Sequence, residues 1–210
     1  MKMSNMVSQL QNEKLLPLYT VHNMDLLDTV ESILLENNLH FIEVTYRSDK
    51  ASAAIKYLSE SGKLIVGAGT VCDLETAKNA IANGAQFIVQ PGIDADVLRY
   101  CKEKNIPIFP GAVTPTEIIQ AMNLGLTAVK FFPANVYGGL KAIKSLGGPF
   151  PSLKFIPTGG INKENYQEFI ENDSILAVGG SFIISEKTVA IDNGVTASKN
   201  LKELVSKINK

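Results

Sequence analysis

Short apolar runs alternate with amphipathic, helix-like segments about eight times along the 210 residues of this chain. Strands that alternate with helices pair in parallel, because each crossover returns the chain to the same end of the sheet. Eight units of about 26 residues fit a small (β/α)8 barrel, and a doubly wound open sheet is the alternative. The predicted strands are Leu15–Thr20, Phe41–Thr45, Leu64–Gly67, Phe87–Val89, Ile108–Gly111, Ala128–Phe132, Lys154–Pro157 and Leu176–Val178.

The chain is predicted to form one barrel domain with a short helical segment in front of it. Residues 1–14 are polar, and Met3–Gln11 is predicted to form a helix across the bottom of the barrel. Residues 15–210 then hold the eight strand–helix units. Capping residues mark several helix starts, and Thr114-Pro115 is the clearest of them because it joins an N-cap threonine to a proline at the first helical position.

Composition and charge exclude several classes of protein. Hydrophobic residues make up 45% and charged residues 20% of the chain, and the formal net charge of −1 leaves no basic footprint for nucleic acid. No apolar stretch reaches the roughly 18 residues of a membrane span, and the start lacks the apolar core of a signal peptide, so we expect a cytoplasmic protein. The two cysteines, Cys72 and Cys101, and the two histidines, His22 and His40, show no metal-ligand spacing, so neither a metal nor another cofactor is expected.

Lys130 lies inside an otherwise apolar strand, at the strand end where barrels place their chemistry. Alternation along the strand puts Lys130 on the same face as Ala128 and Phe132, and this face points into the barrel if Val129 and Phe131 pack under helices. A neutral lysine amine is a nucleophile that forms a Schiff base with a carbonyl substrate. The alternative is a lysine whose ammonium group reaches solvent at the strand end.

Glu43 is the natural partner of Lys130. It shares a face with Phe41 and Thr45, so its carboxylate is also predicted to point into the barrel. A carboxylate beside an imine can move protons as a general acid and base. The alternative is a structural salt bridge between Glu43 and either Lys130 or Arg47.

Two glycine pairs, Gly159-Gly160 and Gly179-Gly180, are predicted to follow the seventh and eighth strands. Backbone N–H groups in turns at these two positions commonly bind phosphate in such barrels. Ser181 adds a hydroxyl directly after the second pair. The sequence therefore predicts a phosphate site at this part of the rim.

Several strings of this sequence, in this order, resemble those of the 2-keto-3-deoxy-6-phosphogluconate (KDPG) and 4-hydroxy-2-oxoglutarate (KHG) aldolase family. The resemblance runs from about Leu15 to Ser185, nearly the whole chain. The strings are Glu43-Val44-Thr45-x-Arg47, Gly67-Ala68-Gly69-Thr70-Val71, Gln90-Pro91-Gly92, Pro110-Gly111-x-x-Thr114-Pro115, Lys130-Phe131-Phe132-Pro133-Ala134, Pro157-Thr158-Gly159-Gly160-Ile161 and Gly179-Gly180-Ser181.

The resemblance implies a class I, metal-independent aldolase that works as a homotrimer on a keto acid or keto acid phosphate and releases pyruvate. It implies the Schiff-base lysine at Lys130 and the general acid and base at Glu43. The remaining implied roles are a carboxylate site at Arg47 and Thr70, pocket walls at Pro91, Phe132 and Thr158, and a phosphate site at Gly159, Gly160, Gly180 and Ser181.

Three positions depart from what many family members carry, and all three are expected at the rim. Thr20 stands where many members have arginine, Asn135 where many have an acidic residue, and Ser185 where the family often has proline. These departures leave KDPG, KHG and a 6-phosphogalactonate-type substrate open. Two further classes are weighed against the aldolase: another phosphate-binding barrel enzyme, and a sugar-phosphate binding protein without catalysis.

Overall fold

Eight parallel strands form a closed (β/α)8 barrel in the structure, a computed structural model that describes residues 3–208. The strands are β1 (Leu15–Tyr19), β2 (Phe41–Thr45), β3 (Ile65–Gly69), β4 (Phe87–Val89), β5 (Ile108–Phe109), β6 (Ala128–Phe131), β7 (Lys154–Pro157) and β8 (Val178–Gly180). The helices are α1 (Met3–Glu13), α2 (Leu27–Glu36), α3 (Ala51–Ser61), α4 (Leu74–Ala82), α5 (Ala95–Glu103), α6 (Pro115–Asn123), α7 (Gly139–Gly147), α8 (Tyr166–Ile170), α9 (Glu186–Ala190) and α10 (Val195–Ser206).

Continuous parallel pairing runs in the order β5-β4-β3-β2-β1-β8, and β6 pairs with β7. Three isolated bridges close the ring between these groups. Gly111, which follows β5, bridges Lys130 in β6. Phe155 bridges Ile175, and Thr158 bridges Gly179, which joins β7 to the segment that contains β8. The eightfold alternation therefore does form a closed barrel, as predicted, and not an open sheet.

Side chains alternate between two cores, as the period of two along each strand requires. One core fills the barrel and contains Leu16, Phe41, Phe87, Phe109 and Ile156. The other lies between the strands and the surrounding helices. Aromatic rings stack edge to face inside the barrel, with 6.0 Å between the centroids of Phe41 and Phe87. This packed interior leaves the carboxyl ends of the strands as the place where a site can form.

The N-terminal helix α1 is fastened to the bottom of the barrel. Glu13 accepts hydrogen bonds from the backbone nitrogen of His40 at 2.8 Å and from its Nδ1 at 3.0 Å. His40 precedes β2, so this contact ties the end of α1 to the start of a strand. His40 therefore has a structural place at the end of the barrel opposite to the strand ends that carry Lys130 and Glu43.

Helix starts follow the local chemistry of the sequence. The Thr114 side chain accepts a hydrogen bond from the backbone nitrogen of Glu117, and the Glu117 carboxylate accepts one from the backbone nitrogen of Thr114. This capping box stands before Pro115 at the first position of α6. None of the helices within residues 3–208 is both long and apolar enough to span a membrane.

One turn prediction is wrong. Gly179-Gly180 does not follow β8 but forms its last two residues, because the strand begins two residues later than predicted, at Val178. Of the four glycines in the two pairs, only Gly159 and Gly160 adopt left-handed backbone angles, with φ of 89° and 75°. Gly179 is required for a different reason: a β-carbon there would lie 2.5 Å from the Thr158 hydroxyl oxygen.

Candidate active site

Lys130 and Glu43 meet inside the barrel from opposite walls. Glu43 lies in β2 and Lys130 in β6, and both side chains share a face with residues of the inner core. The Lys130 Nζ lies 3.5 Å from Glu43 Oε1, and the two side chains are 3% and 1% exposed. Lys130 therefore does not reach solvent, and the predicted meeting of the two groups is observed.

The contact between these two groups is long for a charge-assisted hydrogen bond, which is usually below about 3 Å. Glu43 Oε2 makes no hydrogen bond within the described chain. The Lys130 Nζ also lies 5.2 Å from the centroid of the Phe132 ring, on the residue that directly follows β6. The amine and the carboxylate are thus close enough to exchange a proton while each keeps capacity for another partner.

Gly69, the last residue of β3, makes the space that the Glu43 carboxylate occupies. A β-carbon at position 69 would lie 2.0 Å from Glu43 Oε1 and 2.6 Å from its carboxyl carbon. A side chain here would displace the Glu43 carboxylate, because the clash is with the Glu43 side chain from Cγ outward. Gly69 therefore controls where the carboxylate of Glu43 lies.

Thr70 and Arg47 follow the neighbouring strands β3 and β2. Thr70 has a left-handed backbone with φ of 60°, which is rare for a β-branched residue. Arg47 is exposed, and its guanidinium makes no ion pair or hydrogen bond within residues 3–208. The backbone nitrogen of Tyr46 donates to the carbonyl of Gly69 at 2.8 Å, so the two strand ends that carry Arg47 and Thr70 are joined directly.

The wall opposite Glu43 is formed by residues that follow β6 and β7. Thr158 is buried, and its backbone nitrogen donates to Phe131 at 3.0 Å, while its carbonyl accepts from Ala134. Pro91 lies beside β5, since a β-carbon on Gly111 would stand 2.0 Å from the Pro91 carbonyl oxygen. Of the predicted wall residues, Phe132 and Thr158 thus follow β6 and β7, whereas Pro91 follows β4 and reaches the segment after β5.

The glycine turn after β7 and the end of β8 form the other side of the rim. Gly160 is exposed and packs closely against Asn135, whose side chain would lie 2.3 Å from a β-carbon on that glycine. Gly180 is buried at the end of β8, and Ser181 after it is exposed. The bridge between Thr158 and Gly179 joins these two predicted phosphate-binding segments.

Sequence reasoning missed two features of this rim. Thr45 is 1% exposed, and its hydroxyl lies 2.7 Å from that of Thr20, so the two threonines form a pair above Glu43. The shared face of Glu43 and Thr45 was the available signal for this pair. Glu186 contacts the loop after β1 across more than 160 residues of sequence, and local pattern contains no signal for such a contact.

The described residues contain no group of three or more His, Cys, Asp or Glu side chains that could hold a metal ion. The barrel mouth encloses a lysine amine beside a carboxylate. These are the two groups that an enzyme acting on carbonyl compounds needs, a nucleophile and an acid–base group. The model of the KDPG and KHG aldolase family matches residues 6–198. The chain belongs to this family.

Relatives and solved structures agree with this assignment. The chain is 34% identical over 200 residues to a 2-dehydro-3-deoxy-phosphogluconate aldolase of Haemophilus influenzae, covering 95% of this chain and 94% of that one. It is 36% identical over 169 residues to a KHG/KDPG aldolase of Escherichia coli K12, covering 80% and 79%. The KDPG aldolase of Legionella pneumophila, solved with pyruvate captured at low pH as a covalent carbinolamine intermediate, superposes with a TM-score of 0.89 at 29% identity over 94% and 97% of the chains.

The left-handed backbone of Thr70 predicts an unusual order of stabilities. We expect Thr70→Gly to be more stable than Thr70→Ala by about 1 kcal/mol, because glycine adopts this φ without the steric cost that alanine keeps. Urea unfolding of the two variants measures the difference. At Lys56, in the middle of α3, the same comparison should give the reverse order, since glycine is the poorer helix former. Equal stability of the two Thr70 variants would contradict the strained backbone.

Proposed function

We propose that this chain is a class I aldolase that cleaves KDPG or a close relative to pyruvate and glyceraldehyde 3-phosphate, with Lys130 as the Schiff-base residue. One observation carries the proposal: the buried Lys130 Nζ lies 3.5 Å from a Glu43 carboxylate whose second oxygen makes no hydrogen bond within residues 3–208. A non-catalytic binding protein has no need of a buried amine beside a free carboxylate oxygen. The family assignment supports the same activity.

The substrate is proposed to lie across the rim from β2 to β8. Arg47 and Thr70 bind the carboxylate of the pyruvate half by charge-assisted and hydroxyl hydrogen bonds, which places the C2 ketone at Lys130. Pro91, Phe132 and Thr158 form the walls. The phosphate lies at the other end, against the Gly159-Gly160 turn and the segment Gly180-Ser181, where backbone N–H groups and one hydroxyl are available.

The first half of the reaction forms the imine. Lys130 gives a proton to Glu43 and attacks the C2 carbonyl as a neutral amine, which yields a carbinolamine. Glu43 then protonates the departing hydroxyl group, and water leaves as the protonated imine forms. The exposed Arg47 guanidinium holds the substrate carboxylate throughout this step, so C2 stays within reach of the amine.

The second half breaks the C3–C4 bond. Glu43 takes the proton of the C4 hydroxyl, the C3–C4 electron pair moves into the imine, and glyceraldehyde 3-phosphate leaves. The enamine that remains on Lys130 is protonated at C3. Water then adds to the imine carbon, and pyruvate is released with the free amine of Lys130.

A second substrate remains a candidate within the same chemistry. KHG gives pyruvate and glyoxylate by the same imine steps and needs no phosphate site, and a relative that matches 80% of this chain is named for both substrates. A 6-phosphogalactonate-type substrate would differ from KDPG at C4. Thr20, Asn135 and Ser185 differ from many family members at the rim, where the aldehyde half would lie.

We further propose a cytoplasmic homotrimer. The family resemblance carries the expectation of a trimer, and α6 offers a surface that fits it. Ile119, Met122 and Leu124 are 50%, 36% and 43% exposed on and just after that helix. Next to them lies a cleft of about 900 Å³ between α5 and the turn that follows α6, lined in part by Leu124, Leu126 and Ile106. Burial of these apolar side chains against a second copy would stabilise the assembly.

Trapping the imine tests the proposed function directly. Pyruvate with borohydride should leave a stable mass adduct on Lys130 in the wild-type protein, because reduction converts the imine to a secondary amine. Peptide mapping locates the adduct, and Lys130→Met serves as the control without a nucleophile. An active protein that gives no adduct would rule out the imine mechanism and favour another type of phosphate-binding barrel enzyme.

Two variants test the Glu43 carboxylate by different routes. Glu43→Gln should slow cleavage by about 10²–10⁴, the usual contribution of acid–base catalysis. Gly69→Ala should also lower kcat, because its β-carbon displaces the same carboxylate. Gly92→Ala is the matched control, since a β-carbon there meets nothing within 4 Å. Full activity in both Glu43→Gln and Gly69→Ala would remove the carboxylate from the mechanism.

A substrate panel decides between the candidates. KDPG, its C4 epimer and their unphosphorylated forms are compared with KHG by the rate of pyruvate release. With the glycine turn at Gly159-Gly160 available for an anion, we expect the phosphorylated substrates to have the lower KM and inorganic phosphate to compete with them. A preference for KHG that inorganic phosphate leaves unchanged would assign the chain to the unphosphorylated substrate.

A further inference from the structure

The loop that follows β1, residues 20–23, is held on one side by the loop after β2. We call residues 20–23 the β1 loop. The Ser48 hydroxyl donates to the carbonyl of Val21 at 2.5 Å, and the Thr20 and Thr45 hydroxyl oxygens lie 2.7 Å apart. Ser48 is the residue after Arg47, so these contacts fix the β1 loop to the part of the rim proposed to bind the substrate carboxylate.

On its other side the β1 loop is held by one carboxylate. Glu186 Oε2 accepts from the backbone nitrogen of His22 at 2.7 Å and from that of Asn23 at 2.9 Å. Glu186 is the first residue of α9, and the Ser185 side chain caps that helix by accepting from the nitrogen of Thr188. The carboxylate thus reaches from the segment that follows β8 back to the segment that follows β1.

A buried phenol, Tyr19, lies near enough to Glu186 to be affected by its charge. Tyr19, at the end of β1, is 1% exposed, and its hydroxyl makes no hydrogen bond within the described chain. Burial, and secondarily the negative charge of Glu186, raises the pKa of this phenol well above its usual range. The Tyr19 side chain therefore stays neutral, so it adds no second negative charge that would repel the Glu186 carboxylate.

These contacts place the β1 loop between the two proposed ends of the substrate. β1 lies between β2, which precedes Arg47, and β8, which precedes Ser181. Thr20 continues the inward face of Leu16 and Leu18, so its hydroxyl faces the barrel mouth. A substrate that spans from the carboxylate site to the phosphate site must pass in front of this hydroxyl.

We propose that Glu186 is a positioning residue that holds the β1 loop, and with it the Thr20 hydroxyl, against the central carbons of the substrate. This inference rests on the proposed aldolase function and extends it to the aldehyde half of the substrate. The pyruvate half lies at Lys130, Arg47 and Thr70 and does not require the β1 loop. Removal of the Glu186 carboxylate should therefore impair cleavage of a long substrate and spare the chemistry of pyruvate itself.

Three variants at position 186 test the proposal. Glu186→Ala removes both hydrogen bonds, Glu186→Gln keeps an acceptor oxygen without the charge, and Glu186→Asp withdraws the carboxylate by one methylene group. Glu168→Ala, at an exposed carboxylate on α8, is the matched control. Each purified full-length protein is measured for kcat and KM with KDPG and KHG, for the rate of pyruvate trapping by borohydride, and for the melting temperature.

We expect Glu186→Ala to lower kcat/KM for KDPG by about tenfold or more, because small displacements of positioning groups are costly to rate. Pyruvate trapping should stay within about twofold of wild type, the loss with the shorter KHG should be smaller than with KDPG, and Glu186→Gln should recover most of the lost kcat/KM. Glu168→Ala should match wild type in every measurement. This pattern separates positioning from a general loss of folded protein, which would lower trapping and cleavage together.

Three results would overturn the role of Glu186: an unchanged kcat/KM in Glu186→Ala, an equal loss in trapping and cleavage, or an equal loss with KDPG and KHG. If Glu186→Ala does not fold, Glu186→Asp decides by the same comparison, and wild-type values there overturn the proposal. A wild-type protein that forms no pyruvate adduct contradicts the aldolase function itself. The pyruvate adduct of the wild-type protein therefore tests the aldolase function, and the Glu186 variants test the positioning role separately.

Discussion

The arrangement of the barrel mouth depends on the contact between Lys130 and Glu43. Each charged group loses hydration worth several kcal/mol when it is buried, and their mutual attraction at 3.5 Å offsets only part of that loss. Apolar side chains of similar volume would often fill such a space without loss of stability. Stability therefore does not account for a pair of this kind at the carboxyl ends of two opposite strands, whereas the proposed imine chemistry requires it. Removal of one member alone leaves the other buried and uncompensated.

Glycines around this pair of residues leave the space that the pair and its neighbours occupy. Gly69 leaves room for the Glu43 carboxylate, and Gly179 leaves room for the Thr158 hydroxyl. Gly111 lets the Pro91 carbonyl approach and bridges Lys130 in the same place. These glycines serve close approach in extended backbone, whereas Gly159 and Gly160 serve a left-handed turn. The same residue type thus shapes the reacting centre and the proposed phosphate site for two different physical reasons.

The sequence predicted the barrel, and the inward direction of Lys130 and Glu43, because both depend on local periodicity. Alternation along 41–45 and 128–132 fixes which side chains share a face, whatever the rest of the chain does. The limits of β8 were misplaced, because Leu176 and Ala177 are as apolar as a strand but precede the continuous pairing of β8 with β1. The contact of Glu186 with His22 could not be predicted, since it joins residues that only barrel closure brings together. The partnership of Thr20 with Thr45 depends likewise on the register between β1 and β2.

Short connections explain why fixed contacts matter so much in this site. The loops after the strands are only a few residues each within residues 3–208, and the longest runs from 158 to 165. Groups on such loops are held by hydrogen bonds to their neighbours: Ser48 and Glu186 hold the β1 loop from two sides, and the Thr158 backbone joins the segments after β6 and β7. Preorganisation of this kind lowers the entropic cost of aligning a substrate. Under the proposed function it also fixes the distance between the proposed carboxylate and phosphate sites, so we expect the rim to select substrates by their length as well as by their charge.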